Sequence, residues 1–132
     1  DHYYEARYVI EGEIAALATE RARPEDIAGL EKILSDINDA GDIDEIIRLD
    51  MEFHLMLAKI TGNPILIVFL ESISAIIHKA QELAYEKLGT GSAYIEHYKI
   101  FEHIKNGNAK EAREAMLAHI LFRFLNKAGA AQ

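Results

Sequence analysis

The sequence predicts an all-α protein, an antiparallel bundle of about six helices. Three observations carry that reading. Apolar residues recur at three- and four-residue spacing along most of the chain. Only two prolines and eight glycines occur in 132 residues, and they punctuate the periodic segments. Half of the residues are hydrophobic, enough for a single domain with a substantial core. No repeat, low-complexity tract or interdomain linker divides residues 1–132.

Helix one is expected from about Tyr3 to Ala22. Its apolar stripe is Tyr3, Ile10, Ile14, Leu17 and Ala18, with Arg7 in the same stripe. Pro24 suits the first turn of helix two. That helix carries Ile27, Leu30, Ile33, Leu34 and Ile37 and stops near Gly41. Asp42 with Glu45 forms a capping-box pattern that opens helix three, which ends at Gly62. Asn63-Pro64 starts helix four, expected to run unbroken to about Leu88. It is apolar nearly all round from Ile65 to Leu70, which predicts a central position or a subunit contact. Gly89-Thr90-Gly91 is a loop. Helix five spans about Ser92 to Asn106, Gly107 ends it, and Asn108 with Glu111 opens helix six to about Ala128.

Composition narrows the function classes. There are no cysteines, so disulfides and thiolate metal sites are excluded. The net charge is −8 and the pI is near 5.2. Phosphate contact needs a basic patch, so nucleic-acid binding by this piece is not expected. The longest apolar run, Ile65 to Leu70, ends at Glu71 and is far short of the roughly 20 residues of a membrane span. The start, Asp-His-Tyr-Tyr-Glu, has no signal-peptide character, and a cytoplasmic protein is expected. The chain opens without an initiator Met, straight into a helical pattern. That leaves two readings open, a piece of a longer protein and a stand-alone domain.

The chemistry concentrates in one stretch, Asp50 to Asn63. Asp50 and His54 are four residues apart, hence above one another on one helical face. That face continues through Ile46, Ile47, Phe53, Leu57 and Ala58, while Glu45, Arg48, Glu52 and Lys59 lie elsewhere. Polar groups within an apolar stripe need partners, because unpaired burial is costly.

Of the six histidines, His2 is expected in a disordered terminus and His78 at the surface. Helices five and six are joined by the short turn at Gly107-Asn108 and should form an antiparallel hairpin. His97 lies ten residues before Gly107 and His119 eleven after Asn108. At about 1.5 Å per residue both stand roughly 15–16 Å from the turn, level with each other. His97 shares its face with Ile100, Phe101 and Ile104. His119 shares its face with Ala112, Ala115, Met116 and Phe122, and the alanines leave room for a site. His103 projects about 240° away from His97 and is expected to be exposed.

Asp50, His54, His97 and His119 therefore meet at one level. Three imidazoles and one carboxylate suit a divalent transition metal: zinc first, with nickel, manganese or iron as alternatives. Against this stands the plainer reading of an acidic residue four before a histidine by chance and of ordinary core histidines. Arg7 and Glu11 read either as an intrahelical ion pair or as a guanidinium turned into the same cavity, where it would suit a carboxylate.

Arg7-Tyr8-Val9-Ile10-Glu11 before an Ala-rich helix, Asp50-x-x-Phe53-His54 with Thr61-Gly62-Asn63, then His97, and His119 after Met116 together resemble the FCD domain. This is the C-terminal effector-binding domain of FadR-subfamily GntR transcription regulators, and the resemblance covers essentially the whole chain. It implies a metal held by Asp50, His54, His97 and His119, as in the family's metal-binding branch. It also implies a small carboxylate effector beside the metal, with Arg7 assisting, and a homodimer. Asn63 matches the family's Asn, with helix capping as its other reading. The family's N-terminal winged helix-turn-helix is absent from this chain, so operator DNA would be met only through that missing domain. The function expected is metal-dependent ligand sensing and dimerisation in a bacterial regulator, with no catalysis. The alternatives are a small helical metalloenzyme, with Glu11 as the candidate base, and a domain with a purely structural zinc.

Overall fold

The computed structural model describes residues 2–130, with side chains through Asn126. Among these, seven helices and no strand occur: α1 His2–Arg21, α2 Pro24–Asp39, α3 Ile43–Ile60, α4 Pro64–Ser72, α5 Ser74–Leu88, α6 Ala93–Lys105 and α7 Ala109–Ala130. The bundle architecture is the one expected, with one more helix than predicted. His2, expected in a disordered terminus, is the first residue of α1.

The extra helix comes from a break in the predicted helix four. The segment bends by 54° between Ser72 and Ser74. Ser72 Oγ donates to the Phe69 carbonyl at 2.6 Å, competing with the helical ladder, which is how mid-helix serines bend helices. Ile73 (φ −104°, ψ 6°) closes α4. The break also corrects the expected central position. Ile65 and Val68 are exposed, at 75% and 64%, and only Leu70 of α4 is fully buried. After the bend, α5 turns Ile77, Gln81, Ala84 and Tyr85 inward. A single straight helix has no periodicity cue for this, because both halves are apolar.

The helix ends follow local chemistry. Asp42 accepts from Glu45 N–H at 2.8 Å and caps α3. Asn63 accepts from Ile65 N–H at 2.9 Å and caps α4, with Pro64 in its first turn. Gly107 (φ +74°) ends α6. Its N–H bonds to the Ile104 carbonyl, and the Asn108 N–H to the His103 carbonyl. That pair of bonds is a Schellman motif, and a glycine at this position avoids the left-handed penalty. The turn sends α7 back along α6 and fixes the register of the two helices.

α3 is the hub, packed against α1, α2, α4 and α5. Ile47, Leu49, Phe53, Leu57 and Ala58 on it are buried, each large side chain contributing about 1.5–3 kcal/mol relative to exposure. α1 lies along α7. Gly12 and Gly29 fall inside helices, not between them. At Gly12 an added Cβ would sit 2.7 Å from Leu117 Cδ2, so the glycine sets the close approach of α1 to α7. Among the described residues no single helix is long and apolar enough to cross a membrane.

Candidate metal centre

The buried stripe of α3 delivers Asp50 and His54 to the bundle interior. The α6–α7 hairpin delivers His97 and His119. All four are buried, and one donor atom from each lies within 4.8 Å of every other. The level argued from the Gly107 turn is the level observed: the His97 and His119 ring centroids are 4.9 Å apart. His54 lies 5.5 Å from each of them. His78 is exposed and pairs with Glu82. His103, expected to be exposed, is half-buried but lies outside the cluster.

Each of the four side chains is aimed by a group on its far side. His97 Nδ1 donates to the Ala93 carbonyl at 2.7 Å, so that nitrogen carries the proton. The lone pair of its Nε2 then faces Asp50 Oδ1 at 2.9 Å. His54 Nδ1 donates to Glu11 Oε1 at 2.6 Å, and its Nε2 stands 3.2 Å from the same Asp50 oxygen. His119 Nδ1 lies 3.3 Å from Glu96 Oε1. Asp50 Oδ2 accepts from Gln81 Nε2 and from the Tyr85 hydroxyl, both at 2.7 Å, leaving Oδ1 for the centre. Nε2 of His54 and of His119 are buried without a hydrogen-bond partner.

That pattern tests whether a metal suits the site. Neutral imidazoles with Nδ1–H committed to acceptors present three lone pairs and one carboxylate oxygen to a common point. Lone pairs facing a carboxylate at about 3 Å repel unless a cation lies among them. A ligand–metal distance of about 2.0–2.2 Å separates neighbouring donors by about 3 Å in a tetrahedral or octahedral shell, as Asp50 is separated from His97 and His54. Backbone carbonyl or carboxylate partners on the far nitrogen are the usual supports of metal-bound histidine. The residues present fit the group.

The protonation of the metal-free cluster follows the same contacts. Burial opposes charge on His54, but Glu11 and Asp50 outweigh it and raise its pKa to about 9. Burial, with His97, His54 and Arg123 nearby, pushes His119 down to about 4 despite Glu96. Burial would raise Asp50, yet His97 and His54 hold its carboxyl well below the usual range. Glu11 is likewise lowered to about 2 by Arg7 and His54 against its burial.

Arg7 forms the intrahelical ion pair that was one of its two readings. Its Nε bonds to Glu11 Oε2 within α1, its Nη1 donates to the Tyr3 hydroxyl at 3.2 Å, and it is buried. Its Nη2 has no partner. Glu11, the candidate base of the alternative reading, is buried, and both of its oxygens are engaged. Asn63 is half-buried; its carboxamide oxygen caps α4, and its N–H bonds to Thr61 Oγ1.

Sequence reasoning missed the supports Gln81, Tyr85 and Glu96, and it missed Arg123. Gln81 and Tyr85 are four apart on α5, and Arg123 is four after His119. The same i, i+4 rule that selected Asp50–His54 marks both pairs. Arg123 is buried and donates from Nη2 to Glu96 Oε2 at 3.2 Å. Its Cζ lies 4.4 Å from the Tyr85 ring centroid. Burial opposes its charge, but Tyr85, Asp50 and Glu96 raise its pKa.

Comparison with known proteins agrees with this architecture. The sequence profile of the FCD domain matches residues 2–122. The uncharacterized HTH-type transcriptional regulator YdhC of Bacillus subtilis is 32% identical, the match covering 90% of this chain and 55% of the relative. The HTH-type transcriptional repressor NanR of Klebsiella aerogenes is also 32% identical, over 90% of this chain and 47% of the relative. This chain thus spans about half the length of the curated relatives it matches. The solved structure of Streptococcus agalactiae GntR superposes with a TM-score of 0.77 at 34% identity, covering 89% of this chain and 54% of that one. E. coli McbR/YncC gives a TM-score of 0.86 over 98% of this chain and 68% of that one, a likeness of fold at 20% identity. With a profile match over nearly its whole length, the chain belongs to the FCD domain family.

Proposed function

We propose that this domain senses a small carboxylate through a metal held by Asp50, His54, His97 and His119, and that it does so as a homodimer within a bacterial GntR-family transcription regulator. The observation that carries the reading is the set of three imidazoles and one carboxylate, buried, mutually aimed and each braced from behind. Zinc is the first choice, with nickel, manganese or iron as alternatives, since the donor set is permissive. A divalent ion there supplies a Lewis-acidic anchor for an oxygen ligand.

Charge supports a carboxylate as that ligand. Arg7 is paired with Glu11, and Arg123 with Glu96, so these four cancel. Asp50 offsets one of the two charges of a divalent ion. One positive charge is left in a buried site, and a carboxylate neutralises it. The unpartnered Nη2 of Arg7 is a donor available to the same anion, which suits the role assigned to Arg7. The cap of α4 occupies the Oδ1 of Asn63, so Nδ2 is the group it would offer an anion.

The relatives named as HTH-type regulators motivate the wider role. DNA would be bound by an N-terminal domain outside this chain. α1, the element next to such a domain, reaches the centre through Glu11 and Arg7. An acid bound more tightly in one packing of α1 would shift the population of dimer geometries, and with it the spacing of the DNA-binding domains. The exposed Ile65 and Val68 of α4 and Val9 of α1 offer apolar surface for the dimer contact. A cytoplasmic setting goes with this role.

Catalysis is the less favoured reading, because the candidate base Glu11 spends both oxygens on Arg7 and His54. A purely structural zinc is separated by thermal shift, since a native-state ligand stabilises by mass action. Zinc alone would raise the melting temperature under that reading, and acids would add nothing. Under the sensor reading acids add a further rise that a chelator abolishes. Loss of bound metal is expected in a His97→Ala, His119→Ala double variant. Stoichiometric metal retained by that variant after dialysis overturns the metal assignment.

A further inference from the structure

We propose that Arg123 is a second anion-contacting residue of this pocket, and that the acid reaches it through the cleft between α6 and α7. The inference rests on the carboxylate-sensing reading above and adds to it a residue and a route.

Arg123 is 1% exposed. Its Nη2 donates to Glu96 Oε2 and its guanidinium lies against Tyr85, while Nε and Nη1 meet no acceptor in hydrogen-bond geometry. A guanidinium cannot shed its charge by deprotonation in the way a buried lysine can. Two buried nitrogens without an acceptor on a permanent cation are costly, and a carboxylate is a strong acceptor for them. Arg123 is also one side chain away from two ligands of the centre. Glu96 Oε1 meets His119 Nδ1. Tyr85, stacked beneath the guanidinium, donates to Asp50. An anion on the metal and an anion on Arg123 are therefore in the same neighbourhood.

The cleft supplies the route. It measures about 370 Å³ and is lined by Ile95, Glu96, Lys99, Ala118, His119 and Phe122. Its size falls in the range of small-ligand pockets, about 300–1,000 Å³. Two of its residues, Glu96 and His119, are the ones that link Arg123 to the centre. Ile95, Ala115, Ala118 and Phe122 give it an apolar wall beside the polar Ser92, Glu96, Lys99 and His119, which suits an acid with an apolar carbon skeleton. Glu96 does not bar an anion. Its Oε2 takes Arg123 and Ser92 Oγ, its Oε1 takes His119, and its charge is spent on these partners.

A purely structural role for Arg123 would act through Glu96 and His119, and so on metal affinity. The proposed role acts on the acid. The test uses the zinc-loaded domain, with acetate, propionate and succinate titrated by calorimetry and zinc affinity measured by chelator competition. Arg123→Met, close in volume and uncharged, is expected to keep one zinc per chain and to bind the acids at least tenfold more weakly. Ala118→Phe, at an exposed position in the cleft, is expected to weaken the acids at least tenfold with zinc affinity unchanged. Should Arg123→Met fail to fold or to hold zinc, Arg123→Lys replaces it, with acid affinity expected to fall at least threefold. Native acid affinity in a zinc-loaded Arg123 variant, or a loss confined to zinc affinity, overturns the role of Arg123. Native acid affinity in Ala118→Phe overturns the route. If no acid binds the unmutated zinc-loaded domain, the carboxylate-sensing reading itself fails, an outcome distinct from the other two.

Discussion

Glu11→Gln separates the two tasks of one buried carboxylate. Glu11 Oε1 holds His54 Nδ1, and Glu11 Oε2 holds Arg7. A glutamine keeps the shape and still accepts from His54, but it removes the negative charge that makes the imidazole a better donor to a metal. Loss of such a support lowers metal affinity by about 10- to 100-fold, or about 1.4–2.7 kcal/mol. Removing the charge also strands Arg7, which is buried and keeps its proton. Breaking a buried pair from one side costs about 3–5 kcal/mol of fold stability, seen as a lower urea midpoint in the metal-free domain. The double variant Arg7→Met, Glu11→Gln tells the effects apart. It removes the stranded charge, so most of the stability returns, while the weakened metal affinity stays. Chelator competition measures the first quantity and urea unfolding the second. Metal affinity within threefold of the parent in Glu11→Gln would refute the claim that Glu11 tunes His54. Stability left low in the double variant would refute the pairing argument.

Two further outcomes follow from the same contacts. Asn63→Ala removes the cap of α4 and is expected to cost about 1 kcal/mol with zinc and acid binding unaltered; acid binding weakened more than threefold would make Asn63 an effector contact after all. Metal binding is expected to be proton-linked through His54, whose folded pKa of about 9 exceeds the unfolded value of about 6.5. Its proton stabilises the metal-free fold fully below that lower value, and the contribution fades as the pH rises through the higher one. The metal must displace this proton, so apparent zinc affinity should rise about tenfold per pH unit between about pH 7 and 9 and then level off. A flat profile over that window, in metal-buffered titrations, contradicts the hold of Glu11 and Asp50 on the His54 proton.

How much of this was legible in the sequence depends on the range of the signal. The gathering of Asp50, His54, His97 and His119 was legible because each pair is set by short-range geometry: one helical turn for the first, one glycine turn for the second. The Gly107 turn fixes both arms of its hairpin, so counting residues from it measured height in the bundle. The break at Ile73 was not legible, since both sides of it are apolar and the bend depends on a serine hydroxyl competing with the ladder. That miss had a cost at the site. Gln81 and Tyr85 point at Asp50 only because α5 starts afresh after the bend. Glu96 was missed for a different reason. It precedes His97 on α6, and an acidic residue beside an inward histidine reads as the solvent side of the helix. It is turned inward by partners on α7, His119 and Arg123, which no local pattern in α6 announces.

The supports explain why the centre can couple to the rest of the fold. Its four side chains come from α3, α6 and α7, but the braces behind them add α1 through Glu11 and α5 through Gln81 and Tyr85. Five of the seven helices therefore meet at one point, joined by hydrogen bonds whose geometry tolerates little drift. A change in what fills the centre alters the charge felt by Arg7 and Arg123 together. Arg7 sits on α1 and Arg123 on α7, the two helices that pack along each other past Gly12. An acid that draws on both guanidiniums would act on that packing directly. Under the proposed sensing of an acid, losing either arginine should weaken the link between acid binding and the α1–α7 contact while leaving Asp50, His54, His97 and His119 in place, read as an unchanged zinc stoichiometry.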